Sequence, residues 1–165
     1  MALRGGERKG GLVAVSRHLL PWPDNTEETA MPTTPDRPEY QGALFEKGLA
    51  VRRAVTGDPY VDAALGKADD FSVDLQKLVT EAAWGMVWTR PGLELKQRSM
   101  ITCSILIALG RSHELKTHLR GAVNNGLSRD EIKEMLLHAC IYAGFPAGLE
   151  AFRVAGELFR EIDAG

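Results

Sequence analysis

Little in this chain speaks for metal, redox or nucleotide chemistry. Its 165 residues include two cysteines. Cys103 and Cys140 stand far apart and form neither a CxxC pair nor a metal-ligand cluster. Both lie in apolar helical contexts, where a thiol serves as a small hydrophobe, and that usage fits a reducing, cytoplasmic setting. There is no HExxH, no Glu-x-x-His pair and no Cys/His cluster, so no metal site is expected. GxGxxG and GxxxxGK[ST] are absent, which removes the usual phosphate cradles, and so is the GxSxG nucleophile elbow. A net charge of −2 is too small to recruit nucleic acid or an anionic membrane through bulk electrostatics. The apolar run Ile105 to Leu109 is far too short to span a bilayer.

What is present is an ordinary globular composition, 44% apolar and 25% charged, in a length that supports one domain with its own core. Residues 1 to about 40 differ from the rest. They contain Gly5-Gly6, Gly10-Gly11 and most of the prolines, without sustained periodicity, and are expected to be a disordered or loosely attached extension. Arg4, Arg8 and Lys9 precede the apolar Leu12 to Val15, but Arg17 and His18 interrupt it early, so a signal peptide is not expected. Met31 is a candidate alternative start of translation, which N-terminal sequencing of the natural protein would test.

From Gln41 onward the period is helical. Leu44, Phe45, Leu49, Arg52 and Val55 suit a helix ending at Gly57, and Asp58-Pro59 reads as an N-cap launching a short one that stops at Gly66. Asp69-Asp70 precedes a stripe of Phe71, Leu75, Leu78, Val79, Ala82 and Ala83. Residues 94–109 form the next helix; its second half is apolar nearly all round and is expected to be central and buried. Ser112 is placed to cap a helix with Leu115, Leu119 and Ala122 on its inner face. Ser128 to Glu131 matches a capping box ahead of Ile132, Met135, Leu136 and Ala139. After Gly144-Phe145-Pro146, a last helix carries Leu149, Phe152, Gly156, Phe159 and Ile162. No strand pattern of useful length appears. The expected architecture is an all-α domain over residues 41–165, with six or seven helices packed largely antiparallel.

Three groupings could carry chemistry. Trp84 to Leu93 places two tryptophans and Arg90 at a break enforced by Pro91 and Gly92, with Lys96 and Arg98 just beyond. Aromatic walls beside guanidinium forks suit a small planar dianion; equally, Trp84 and Trp88 can be core, Arg90 a helix-end cap, and Arg98 a partner for Glu94. Arg111, Glu114 and His118 share a helix face, where a carboxylate one turn from an imidazole can raise its pKa for acid–base work. A solvated polar face satisfies the same spacing. Glu134, His138 and Tyr142 repeat the theme, as a second polar group reaching a pocket or as a boundary stripe at a subunit contact.

Taken in order, Arg52-Arg53-Ala54-Val55-Thr56-Gly57, Trp84-Gly85, Trp88, Arg90-Pro91-Gly92-Leu93, Lys96, Arg98-Ser99, Glu114-Leu115, His118-Leu119-Arg120, Asn125-Gly126, Glu131-Ile132 and Tyr142 to Pro146 resemble the carboxymuconolactone decarboxylase family. The resemblance runs from about Gly42 to Phe159 and points to its 4-carboxymuconolactone decarboxylase branch. It implies an all-helical subunit in a ring-like homo-oligomer, trimer or hexamer. It also implies a cofactor-free carboxy-lyase acting on a lactone dicarboxylate in the protocatechuate branch of the β-ketoadipate pathway, giving the enol-lactone of 3-oxoadipate. Set on that chemistry, Arg90 or Arg98 would anchor a carboxylate beside Trp88. His118, tuned by Glu114, would deliver the proton, with His138 a second candidate. The alkylhydroperoxidases of the wider family use a CxxC pair ahead of a histidine; aligned on His118, those positions fall here on Arg111 and Glu114. Two alternatives stand beside the decarboxylase: a thiol-dependent peroxide-reducing protein, and a non-catalytic oligomeric protein that binds a small acid.

Overall fold

The computed structural model describes residues 34–165. Among them there is no strand. A 3-10 turn, Pro38–Tyr40, leads into α1 (Ala43–Thr56) and α2 (Asp58–Gly66). Next comes α3 (Val73–Leu78), which runs on without a break as a π-helix, Val79–Trp88. Then follow α4 (Leu95–Ala108), α5 (Ser112–Asn124), α6 (Arg129–Ala143) and α7 (Phe145–Ala164). Most of the expected N-terminal extension, residues 1–33, lies outside the described residues. At its end Tyr40 is buried and stacks on Phe45, ring centroids 5.2 Å apart.

Local chemistry sets the helix ends. The Ser128 hydroxyl accepts from the Glu131 amide at 3.1 Å, and the Glu131 carboxylate accepts from the Ser128 amide at 2.9 Å, a complete capping box. A second box joins Glu94 and Gln97 at the start of α4. Glu94 is thus a cap and not the expected partner of Arg98. Ser112 is the first residue of α5, behind Arg111 at the cap position, and no side chain caps that end. Gly144 closes α6 at φ +90°, where an L side chain is strained.

Two antiparallel pairs form the main body. Asn125, just past α5, donates to the Ser99 hydroxyl near the start of α4 at 2.9 Å, and Arg129 at the start of α6 pairs with Asp163 at the end of α7. Their shared core includes Cys103, Leu119, Ile132, Leu136, Ala151 and Leu158. A second cluster gathers Tyr40, Phe45, Val61, Leu65 and Val73. Val55, Trp84 and Trp88 form a third, where α1 meets the π-helix.

That crossing is a backbone-on-backbone contact. A Cβ on Gly48 would overlap the Thr80 carbonyl, and one on Gly85 would sit 2.8 Å from the Leu44 carbonyl. The close approach selects which side chains go inward. Val73, Thr80, Trp84 and Trp88 are buried, whereas Phe71, Leu75 and Leu78 of the expected stripe are largely exposed. The same logic reverses expectation on α7. Gly148 packs on the Cys140 side chain, so the inner face is built from Gly148, Ala151, Val154, Ala155 and Leu158, and Leu149 and Phe152 point outward. Nor is α4 buried all round: Ile101 and Ile105 are about half exposed, facing a groove of about 820 Å³ between α4 and α6.

Alanine at Gly48 forces two backbones apart and is expected to cost about 1–3 kcal/mol of unfolding free energy. Alanine at Gly66, where a Cβ meets nothing within 4 Å, should cost nothing. Denaturant melts of the two variants against the parent check the difference; equal stability of all three would refute the tight crossing.

Candidate active site

The π-helix carries Trp84 and Trp88 to the inner surface of the molecule. Their rings lie 4.6 Å apart, centroid to centroid, tilted by 36°. His118 of α5 completes the cluster, its imidazole nearly parallel to Trp84 at 6.1 Å and tilted against Trp88 at 6.5 Å. α5 is held at this depth by α1: Gly121 packs on Val55, and the Asn124 amide donates to the Val55 carbonyl at 2.8 Å.

The imidazole is half-buried, and its Nδ1 is fully enclosed without a hydrogen-bond partner. Burial against the indoles pushes its pKa below 6.5, while the negative charge of Glu114, exposed one turn back, opposes that shift. The ring is therefore predominantly neutral at pH 7.

Beyond Trp88 the chain leaves the helix through Thr89 to Glu94. The Arg98 guanidinium is buried and donates through Nη2 to the Arg90 carbonyl at 2.8 Å, tying α4 to that turn. Its Nε, like Nδ1 of His118, is enclosed and unpartnered. Among the described residues these are the two buried side-chain polar atoms left without a partner. An unmade hydrogen bond of that kind costs about 1–3 kcal/mol. Arg90 itself is exposed and makes no side-chain hydrogen bond among the described residues.

The structure thus brings Trp84, Trp88 and His118 together and sets the Arg90 turn, braced by Arg98, directly after them. Glu114 is one turn from His118 on the same helix. His138 is elsewhere: it stacks on Tyr142, centroids 4.9 Å apart, and lines the α4–α6 groove with Met100, Ser104 and Glu134. Neither tryptophan nor His118 lines that groove. Cys103 is completely buried and its thiol is pushed up to about 12, which leaves it no thiolate for peroxide chemistry at neutral pH. No group of three or more His, Cys, Asp or Glu able to hold a metal occurs among the described residues, and none of their helices is long and apolar enough to cross a membrane.

The profile of the carboxymuconolactone decarboxylase family matches residues 74–157, from α3 through most of α7. The chain belongs to the carboxymuconolactone decarboxylase family. It is 44% identical over 118 residues to 4-carboxymuconolactone decarboxylase of Acinetobacter baylyi, covering 72% of this chain and 88% of the relative. It is equally 44% identical over 128 residues to nitrosuccinic acid decarboxylase of Metarhizium robertsii, covering 77% and 90%. A 4-carboxymuconolactone decarboxylase sequence from Pseudomonas putida matches over 41 residues, also at 44%, covering 25% of this chain and 85% of that one. The matched region contains both tryptophans, both arginines and His118.

Protonated imidazole quenches indole fluorescence, so the tryptophan cluster reports the charge on His118. Emission is expected to fall on acidification with a midpoint below 6.5, and His118→Gln should abolish that step. Between the lowered native pKa and 6.5 the unfolded chain binds the extra proton, so unfolding free energy declines as pH falls through this window. A quenching midpoint above 6.5 would contradict the burial of a neutral ring.

Proposed function

We propose that this protein decarboxylates 4-carboxymuconolactone to the enol-lactone of 3-oxoadipate, without a cofactor, at the Trp84–Trp88–His118 site. The observation that carries this reading is the imidazole of His118 held against two indoles, with the exposed Arg90 fork on the turn that follows them. A dicarboxylate offers a carboxylate to that fork and negative charge beside the imidazole.

The substrate is its own electron sink. The bond from the ring carbon to its carboxylate breaks, and the pair moves through the ring double bond onto the lactone carbonyl oxygen. A proton then adds to the ring carbon next to that carbonyl, restoring the carbonyl and leaving the enol-lactone and carbon dioxide. One proton is consumed. The protein has to anchor the acetate arm, stabilise the dienolate and deliver that proton. Arg90 is assigned to the carboxylate, through its exposed fork. Arg98 fixes the turn that presents Arg90. Trp88 supplies a flat wall, and His118 is the acid. Neutral in the empty site, His118 gains its proton as the dianion binds beside it, with Glu114 holding the imidazolium.

Nitrosuccinate shares this frame. Both compounds are succinates whose departing carboxylate sits on a carbon attached to an electron-withdrawing group, a nitro group in one and a vinylogous carbonyl in the other. The same anchor and acid serve either, which makes nitrosuccinate the second substrate to assay. Carboxy-lyase activity is common to both readings. We further propose a homo-oligomer, supported by the exposed apolar residues Ile101, Ile105 and Ile141 beside the groove and Phe145 and Leu149 on α7.

His118→Ala is expected to lower kcat on 4-carboxymuconolactone by about a hundredfold or more, the usual worth of a positioned general acid. Helical circular dichroism should stay unchanged. Near-normal turnover in that variant would remove His118 from the reaction, and turnover of nitrosuccinate alone would move the substrate assignment. In the parent enzyme kcat/KM, which reports the free protein, should fall as pH rises through a value below 6.5, whereas kcat should hold to higher pH. Coincident profiles would contradict proton uptake on binding. Arg90→Met removes a charge-assisted bond present in both ground and transition states, so KM should rise about tenfold to a hundredfold with little change in kcat.

A further inference from the structure

The guanidinium of Arg52 is buried on the inner face of α1, and its hydrogen-bond partners among the described residues are neutral. Nη1 donates to the Thr80 hydroxyl at 3.0 Å and Nη2 to the Gln76 side-chain carbonyl at 3.0 Å. Gln76 lies in α3 and Thr80 is the second residue of the π-helix, so the two arms of one planar fork straddle the point where the helix changes type. Thr80, completely buried, donates its own hydroxyl to the Gln76 main-chain carbonyl at 2.8 Å. A side-chain hydroxyl bonded four residues back in this way bends and loosens an α-helix. One α-helical turn before Arg52 on the same face is Gly48, whose missing side chain admits the Thr80 carbonyl.

We propose that Arg52 is a positioning residue for the active site: its fork holds the α-to-π junction and thereby fixes how Trp84 and Trp88 are presented to His118. A π-helix, with hydrogen bonds five residues apart, turns less per residue than an α-helix. Relaxing Val79–Trp88 to α geometry would carry both indoles around the axis and away from the imidazole. Stability alone does not call for an arginine here. A buried charge without an ionic partner is costly, and apolar replacements of similar volume at buried ionic sites are often neutral or stabilising. Burial lowers the Arg52 pKa, in keeping with that cost. What an apolar side chain cannot do is hold two oxygens on either side of the junction at fixed separation.

The test is Arg52→Met, read first without substrate. The parent should show a tryptophan–tryptophan exciton couplet in circular dichroism, defined by its loss in Trp88→Phe. Arg52→Met is expected to keep its helical content and melting temperature, to lose most of the couplet, and to lower kcat about tenfold or more with a smaller effect on KM. Arg52→Lys, which reaches one oxygen at most, should fall between. Should Arg52→Met fail to fold, the isosteric Thr80→Val removes one arm of the clamp and carries the same expectation for couplet and kcat. A folded Arg52→Met or Thr80→Val with the parent couplet and parent kcat would overturn the proposal. The turnover arm rests on the function proposed above; the couplet does not. An inactive parent protein would therefore sink that function, while an unchanged couplet would sink this inference alone.

Discussion

The crossing of α1 over the π-helix is the constraint on which the rest depends. Two glycines let the backbones touch, with no side chain at Gly48 or Gly85 to hold them apart. Once the helices are that close, small changes of register on either one move whole side chains. The contact then determines what is inside: Val55, Trp84 and Trp88 fill the space beside it, and Gly121 and Asn124 dock α5 against the same stretch of α1. His118 reaches the tryptophans because of that docking. The position of an imidazole in α5 is thus settled by glycines far from it in sequence.

The site itself trades solvation for reactivity. On the proposed function, a neutral histidine against two indoles and an exposed guanidinium fork close by suit the binding of an anion. The same burial that keeps His118 neutral also makes its charge responsive to a dianion arriving nearby, since coulombic interactions strengthen as water is excluded. On the proposed function, binding and protonation would be one event. That suits a reaction that consumes one proton and leaves its electrons in the substrate's own carbonyl.

Much of this was legible in the sequence, and the failures have a common cause. Helix limits followed from glycines, prolines and the Ser128–Glu131 box, because these act locally. The family was legible in the ordered motif from Arg52 to Pro146. What could not be read was which face of a helix goes inward when helices pack on backbone. Phe71, Leu75 and Leu78 look like a core stripe by period, yet the contact with α1 selects Thr80 and Trp84 instead. On α7 the close seat of Gly148 on the Cys140 side chain turns Leu149 and Phe152 outward. The π-helix gave no signal in the sequence, since the apolar spacing of Val79–Trp88 reads equally as an α-helix. Arg98 was legible only as one of two candidate anchors. Its grip on the Arg90 carbonyl was not, because a side chain reaching back to a main-chain oxygen leaves no spacing to detect.

The proposed reaction breaks the bond to the ring carboxylate of a lactone dicarboxylate. The direct measurement is turnover of 4-carboxymuconolactone carrying carbon-13 only in its ring carboxylate, with gas and product followed together by mass spectrometry. One labelled carbon dioxide per lactone consumed, and an unlabelled enol-lactone, is the expected result. Label retained in the product, or a lactone untouched by the folded protein, would contradict it.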